Sequence, residues 1–214
     1  MSALRFSSLI ILFPILFGAC GRSELIRIRM LAPVNEDKKD HAIFTDTESL
    51  SSFTPVITNK QIGGSLYFLF KSIGLGYTTI TTKMEKADEN LTEKTTLVTN
   101  FADVAFGIGE NYSFMWGAGV LTGGKWETSL EYDSKTFNPT HNYLGGHSLF
   151  FVLGHHGFGF ETLLGYRTNS IKAEFEEINP SDEDIGKTGK DFTYESNIIS
   201  LKTSQVQLGI GFTF

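Results

Sequence analysis

Apolar residues in this chain recur at every second position over long stretches. Near its end Val206, Leu208, Ile210, Phe212 and Phe214 share one face of an extended strand, and Gln205, Gln207, Gly209, Gly211 and Thr213 share the other. Tyr112, Phe114, Trp116, Ala118 and Val120 repeat the pattern opposite Ser113, Met115, Gly117, Gly119 and Leu121. Phe158, Phe160, Thr162, Leu164 and Tyr166 do so opposite Gly159, Glu161, Leu163, Gly165 and Arg167. The spacing predicts strands near 24–32, 61–71, 72–83, 94–108, 111–126, 142–154, 157–172 and 195–214. The fifth can run on to Tyr132, with Trp126, Leu130 and Tyr132 keeping its facing. In the sixth, Leu149, Phe151 and Leu153 compete with Phe150 and Val152 for the apolar face.

Alternation alone also fits a soluble β-sandwich, whose outer face carries charges. Here the face opposite the apolar one holds mainly Gly, Ser, Thr and Gln, which suits the crowded interior of a narrow barrel. The expected fold is therefore all-β: a closed antiparallel transmembrane β-barrel of about eight strands in up-and-down meander order. Short turns at Lys71-Ser72, Gly109-Glu110-Asn111 and Gly154-His155-His156-Gly157 alternate with long polar segments at Met84–Glu93, Asp133–His141 and Glu174–Asp191. Seven strands follow from Gln61 onward, and an even number brings both ends to one side; Leu25–Leu31, with Ile26, Ile28 and Met30 alternating with Arg27 and Arg29, supplies the eighth. A long first loop, Ala32–Lys60, then lies outside.

The composition includes 22 Gly, 19 Phe and 7 Tyr but only 5 Pro, which suits aromatic-faced strands. Tyr112, Trp116, Phe158 and Tyr166, with Phe212 and Phe214, are candidates for an aromatic girdle at the membrane interfaces. A net charge of -6 leaves no excess of cations for a nucleic-acid partner. Arg5 precedes an apolar run from Leu9 to Ala19 that is too short to span a bilayer as a helix and reads as an export signal. Residues 1–20 are accordingly assigned to the signal and 21–214 to the barrel. Phe17-Gly18-Ala19-Cys20 is similar to a bacterial lipoprotein box, which would make Cys20 the lipid acceptor; cleavage after small residues in Ala19-Cys20-Gly21 is the competing reading, and both stay open. Cys20 is the one cysteine, which excludes an internal disulfide and a multi-thiolate zinc site.

The last residues resemble the C-terminal assembly signal of bacterial outer-membrane proteins, with Gln207, Gly209, Phe212 and Phe214 in the polar, glycine and two hydrophobic positions. That resemblance implies recognition by the barrel-assembly machinery. Size and layout are similar to the small eight-stranded barrels related to OmpX, Ail, OmpA and OmpW, which implies location in a Gram-negative-type outer membrane, with outer-membrane lipids and lipopolysaccharide as partners and a monomeric chain. Roles within that group vary, so the fold does not name an activity.

Alternation points Arg27, Arg29, Asp103, Glu161 and Arg167 inward, where charges of both signs are expected to pair into an ion-pair network that closes the lumen. Enzymatic patterns fit poorly. The outer-membrane lipid A deacylases have His and Ser two positions apart with a Glu nearby, whereas His147-Ser148 are adjacent and diverge to opposite faces, although Glu161 is on the next strand. A palmitoyltransferase-like set would need His41 with Asp133-Ser134, a common combination. His155-His156 read as solvated turn residues rather than metal ligands. The acidic loop with Glu174, Glu176, Glu177, Asp182, Glu183 and Asp184 reads as solvated, with divalent bridging to lipopolysaccharide as the sharper alternative. No cofactor, metal or catalytic residue is expected. The leading expectation is a non-enzymatic surface protein presenting loops for adhesion, envelope stability or surface interaction; a small porin or apolar-solute transporter, and a lipid A-modifying enzyme, are the alternatives.

Overall fold

A computed structural model describes residues 26–34, 56–87, 91–132, 135–137, 141–157, 160–175 and 198–214. These form β1 (Ile26–Pro33), β2 (Val56–Phe70), β3 (Ile73–Ala87), β4 (Leu91–Gly109), β5 (Tyr112–Tyr132), β6 (Lys135–Phe137), β7 (His141–Gly157), β8 (Phe160–Phe175) and β9 (Ile198–Thr213). All pairings are antiparallel between neighbours in sequence, apart from β6, which only extends the β5 hairpin, and the β1–β9 pair that joins first to last. The β4–β5 pairing completes the ring, so β1–β5 and β7–β9 close an eight-stranded up-and-down barrel. The seam ends with reciprocal backbone hydrogen bonds between Ile26 and Phe214, at 3.3 and 2.9 Å.

Following paired residues around the wall gives Ile26, Phe70, Ile73, Phe106, Trp116, Phe151, Tyr166 and Val206, which bonds back to β1 at Val34 rather than Ile26. The row has climbed eight residues in eight strands, the stagger that tilts the strands of a closed sheet. Residues at one level of the barrel are therefore found by shifting one residue along each successive strand. The Phe70–Ile73 and Gly109–Tyr112 connections define the turn-ward end of the barrel, and the opposite end is the loop-ward one. Lys71 and Gly109, with φ of 55° and 94°, take the left-handed backbone that these tight reversals need.

Several sequence expectations are corrected. Met84–Glu93 is mostly strand: β3 continues to Ala87 and β4 resumes at Leu91, because Thr, Lys and Glu ladders pair as readily as apolar ones where the outer face meets water. The 133–141 segment contains β6, and His155-His156 lie at the end of β7 rather than in a turn. Trp126 points inward, at 2% exposure. The cause is a β-bulge: Phe101 pairs with Leu121 but Asn100 with Gly123, so Thr122 is an extra residue and every later position on β5 swaps faces. In β7, Leu149, Phe151 and Leu153 face outward, whereas Phe150 and Val152 are buried. β5 and β7 pair only from Tyr112 to Val120; loop-ward of this, the Trp126 N–H donates to His141 Nε2 at 3.0 Å.

Candidate functional site

The lumen is filled in layers, and the five charged residues singled out from sequence fall into two separate groups rather than one network. The turn-ward group holds Arg27, Arg29 and Glu161. Arg29 donates from Nε to Glu161 Oε2 at 2.7 Å and from Nη2 to Oε1 at 2.8 Å, a two-point pair in which both residues are almost wholly buried. Ser113 Oγ accepts from Arg29 Nη2 at 2.7 Å and donates to Glu161 Oε1 at 3.2 Å. Arg27 stands 3.9 Å from the same carboxylate and donates to the Gly109 carbonyl at 2.8 Å, which ties this group to the adjacent turn.

An apolar layer of Leu31, Leu69, Ala105, Met115, Val152 and Leu163 lies above it. The second group follows. Arg167 donates from Nη1 to Asp103 Oδ2 and from Nη2 to Oδ1, both at 2.9 Å. The same guanidinium donates to Ser148 Oγ at 2.5 Å, to Tyr67 OH and Thr78 Oγ1 at 3.1 Å, and through Nε to Asn169 Oδ1 at 3.1 Å. Thr78 in turn donates to Asp103 Oδ2 at 2.6 Å. Phe101 and Phe150 flank the cation, with ring centroids 4.8 and 5.4 Å from Arg167 Cζ. Arg167 is 0% exposed. Nearly every donor it carries has an acceptor, as a buried guanidinium requires.

Glycine on neighbouring strands makes room for both pairs. A Cβ at Gly119 would collide with the Asp103 carboxylate and the Ser148 hydroxyl, and one at Gly211 would come within 2.6 Å of Glu161 Oε2. Small inward residues are therefore the space in which the long charged side chains lie. A second apolar layer of Met84, Leu97, Phe101, Trp126, Ile171, Ala173 and Leu201 fills the loop-ward part.

Sequence reasoning missed Tyr67, Thr78, Ser148 and Asn169 as partners of Arg167. Their inward parity was the available signal, but which of them meet Arg167 depends on the stagger. The deacylase-like combination does not assemble: Ser148 is inside on Arg167, His147 is outside, and Glu161 is held by Arg29. His155 lies on the exposed face with its ring 4.9 Å from that of Tyr112. Among the described residues, no group of three or more His, Cys, Asp or Glu is placed to hold a metal ion.

Tyr112, Trp116 and Tyr166 all lie on the outer face, but at different levels. Tyr112 is at the turn-ward rim, whereas the stagger lifts Trp116 and Tyr166 into the middle of the apolar surface, beside Phe151. Gln207 is buried and donates to Ser65 Oγ at 3.3 Å, Gly209 packs against Leu31, and Phe212 and Phe214 face outward. Phe158, Cys20, the 1–20 segment, His41, Asp133-Ser134 and the acidic residues 176–184 lie outside the described residues.

No family model matches the chain, and no curated protein matches it. The outer membrane protein OprG from Pseudomonas aeruginosa is similar to it among solved structures, at 12% identity over 90% of this chain and 97% of that chain, with a TM-score of 0.41.

Proposed function

We propose that this chain is an integral outer-membrane barrel with a closed lumen and no catalytic role, serving as a rigid base that presents its loop-ward segments for surface interaction. The observation that carries this reading is an inversion of polarity along the barrel axis. In the turn-ward part the outside is apolar, with Phe68, Phe70, Leu75, Tyr77, Leu149, Leu153, Leu164, Leu208 and Ile210 all exposed, while the inside holds the ion pairs. In the loop-ward part the inside is apolar around Trp126 and Leu97, and the outside carries Lys83, Glu85, Lys94, Lys125 and Glu127. The first pattern suits hydrocarbon around the wall and the second suits water.

The dimensions agree. Outward apolar positions run from Ile62 to Phe70 on β2 and from Val206 on β9 to Phe214 just past its end, nine residues each, against the roughly 9–11 tilted residues that cross a bilayer. On the strands themselves no described Asp, Glu, Lys or Arg points outward between those limits; Lys71 and Glu110 are exposed in the turns at the turn-ward rim. Export by the N-terminal segment, assembly through Gln207, Gly209, Phe212 and Phe214, and a monomeric state belong to the same proposal.

Among the described residues, two charged layers and two apolar ones pack the interior, which supports a lumen without a continuous aqueous path. Planar-bilayer recordings at neutral pH are therefore expected to show no ohmic steps above the bare-lipid background; stable unitary conductance would overturn the closed lumen. One observation favours a second reading, lateral passage of an apolar solute: the β5–β7 ladder stops at Val120, beside the loop-ward apolar layer. Uptake of an apolar fluorophore by vesicles carrying the protein, without conductance, would select that reading.

A further inference from the structure

Resting on the membrane reading above, we propose that Lys60, Lys83, Lys172 and Lys202 form a binding site for the phosphates of outer-leaflet lipid headgroups. All four side chains are exposed on the outer face. After shifting one residue per strand for the stagger, they stand within one residue step of a common level, although they come from β2, β3, β8 and β9. Lys125 on β5 shares this level but is already paired with Glu127. The four occupy one arc of the wall, with β1 between the strands of Lys202 and Lys60; β1 ends at Pro33, and the described residues after it end at Val34, about three steps turn-ward of the lysines.

Among the described residues, their surroundings leave the positive charge uncompensated. Lys60 and Lys83 are direct cross-strand partners, an unfavourable placement of like charges unless an anion sits between them. Lys172 pairs with Ser200, two residues from Lys202, so these form a diagonal neighbour pair on the same face. The nearest outward acids on these strands, Glu85 and Glu174, lie two residues loop-ward, and Glu85 pairs instead with Lys94 at 3.8 Å. Among the described residues none of the four lysines has a carboxylate within salt-bridge distance.

The level selects a lipid rather than a dissolved anion. The apolar surface gives way to Thr79, Asn100, Thr168 and Ser204, and the lysines follow about three residue steps beyond its edge. At ~3.3 Å per residue and a tilt of about 40°, that is roughly 7–8 Å above the hydrocarbon, within reach of the headgroup layer. Lysine stems can lie along the apolar wall while the ammonium reaches phosphate, each cation adding to the attraction.

The test uses the purified protein in zwitterionic micelles, titrated with bis-phosphorylated lipid A, with the same lipid stripped of phosphate, and with inorganic phosphate as competitor, and followed by native mass spectrometry. The expected result is a preference for the phosphorylated lipid that falls at least about tenfold in K60Q/K83Q/K172Q/K202Q but not in K94Q/K125Q. Equal binding of the two lipids, an unchanged preference in the quadruple variant, or full displacement by millimolar inorganic phosphate would overturn the lipid site. Insertion of the same preparations into phosphatidylcholine vesicles is scored in parallel. Failure of the parent protein to insert would overturn the membrane reading and the site together, whereas insertion without phosphate preference overturns the site alone.

Discussion

Arg167→Met is expected to lower the unfolding free energy of the barrel by about 3–5 kcal/mol, measured by urea titration in phospholipid vesicles. The guanidinium meets both oxygens of Asp103 and four further side chains, and both ionic partners are fully buried. Removing it leaves a carboxylate in a layer whose neighbours are Phe101, Phe150 and Gly119, with only Thr78 and Tyr67 as donors. Most of the loss therefore reflects the stranded anion rather than the net worth of the pair. Adding Asp103→Leu should accordingly recover most of the stability, because an apolar pair of similar volume needs no counter-ion. A single substitution that costs under about 1 kcal/mol would show that water reaches Asp103, and the closed lumen would fall with it.

Leu208→Arg is expected to cost about 2–4 kcal/mol in the same assay, whereas Ser200→Arg, eight residues loop-ward on the same face of β9, should change stability by less than about 1 kcal/mol. Leu208 is 54% exposed and sits among Ile210, Leu164 and Met30 in the middle of the apolar surface. If that surface faced water, an arginine there would be tolerated as well as at the loop-ward position. Equal effects at the two sites would thus contradict the placement of hydrocarbon around the turn-ward half. Leu75→Arg, on β3 and 67% exposed, provides an independent copy of the same comparison on another part of the wall.

Much of this is legible in the amino-acid sequence. Alternation assigned Val206 to Phe214 and Tyr112 to Val120 to their faces because one-residue spacing on a strand is a local property. It also placed Arg27, Arg29, Asp103, Glu161 and Arg167 inside. What it could not give was level. Whether Arg167 meets Asp103 or Glu161 depends on the stagger summed over several strands, which no local window contains, so a single network was expected where two groups form. The same limit hid the lysine arc, since Lys60 and Lys202 lie 142 positions apart in sequence yet flank one strand.

Trp126 failed for a different reason. One extra residue at Thr122 reverses every later facing on β5, and nothing in Leu121-Thr122-Gly123-Gly124 fixes which residue is extra. The hydroxyl of Thr122 donates to the Asn100 carbonyl at 3.2 Å, a contact between strands that only pairing can reveal. The expected Met84–Glu93 loop erred because polarity was read as absence of a strand. In a barrel that continues beyond the bilayer, a polar outer face is compatible with full pairing, and Met84 points inward to pack with Leu97 and Trp126.

The most direct test of the central claim, an apolar-walled closed barrel seated in a membrane, is the electrophoretic mobility of membrane-extracted protein with and without boiling in dodecyl sulfate. A closed hydrogen-bonded ring without free edges resists the detergent, so the unheated sample should run as a compact fast species that slows on boiling. A single mobility at both temperatures, with the protein recovered in the soluble fraction before extraction, would contradict it.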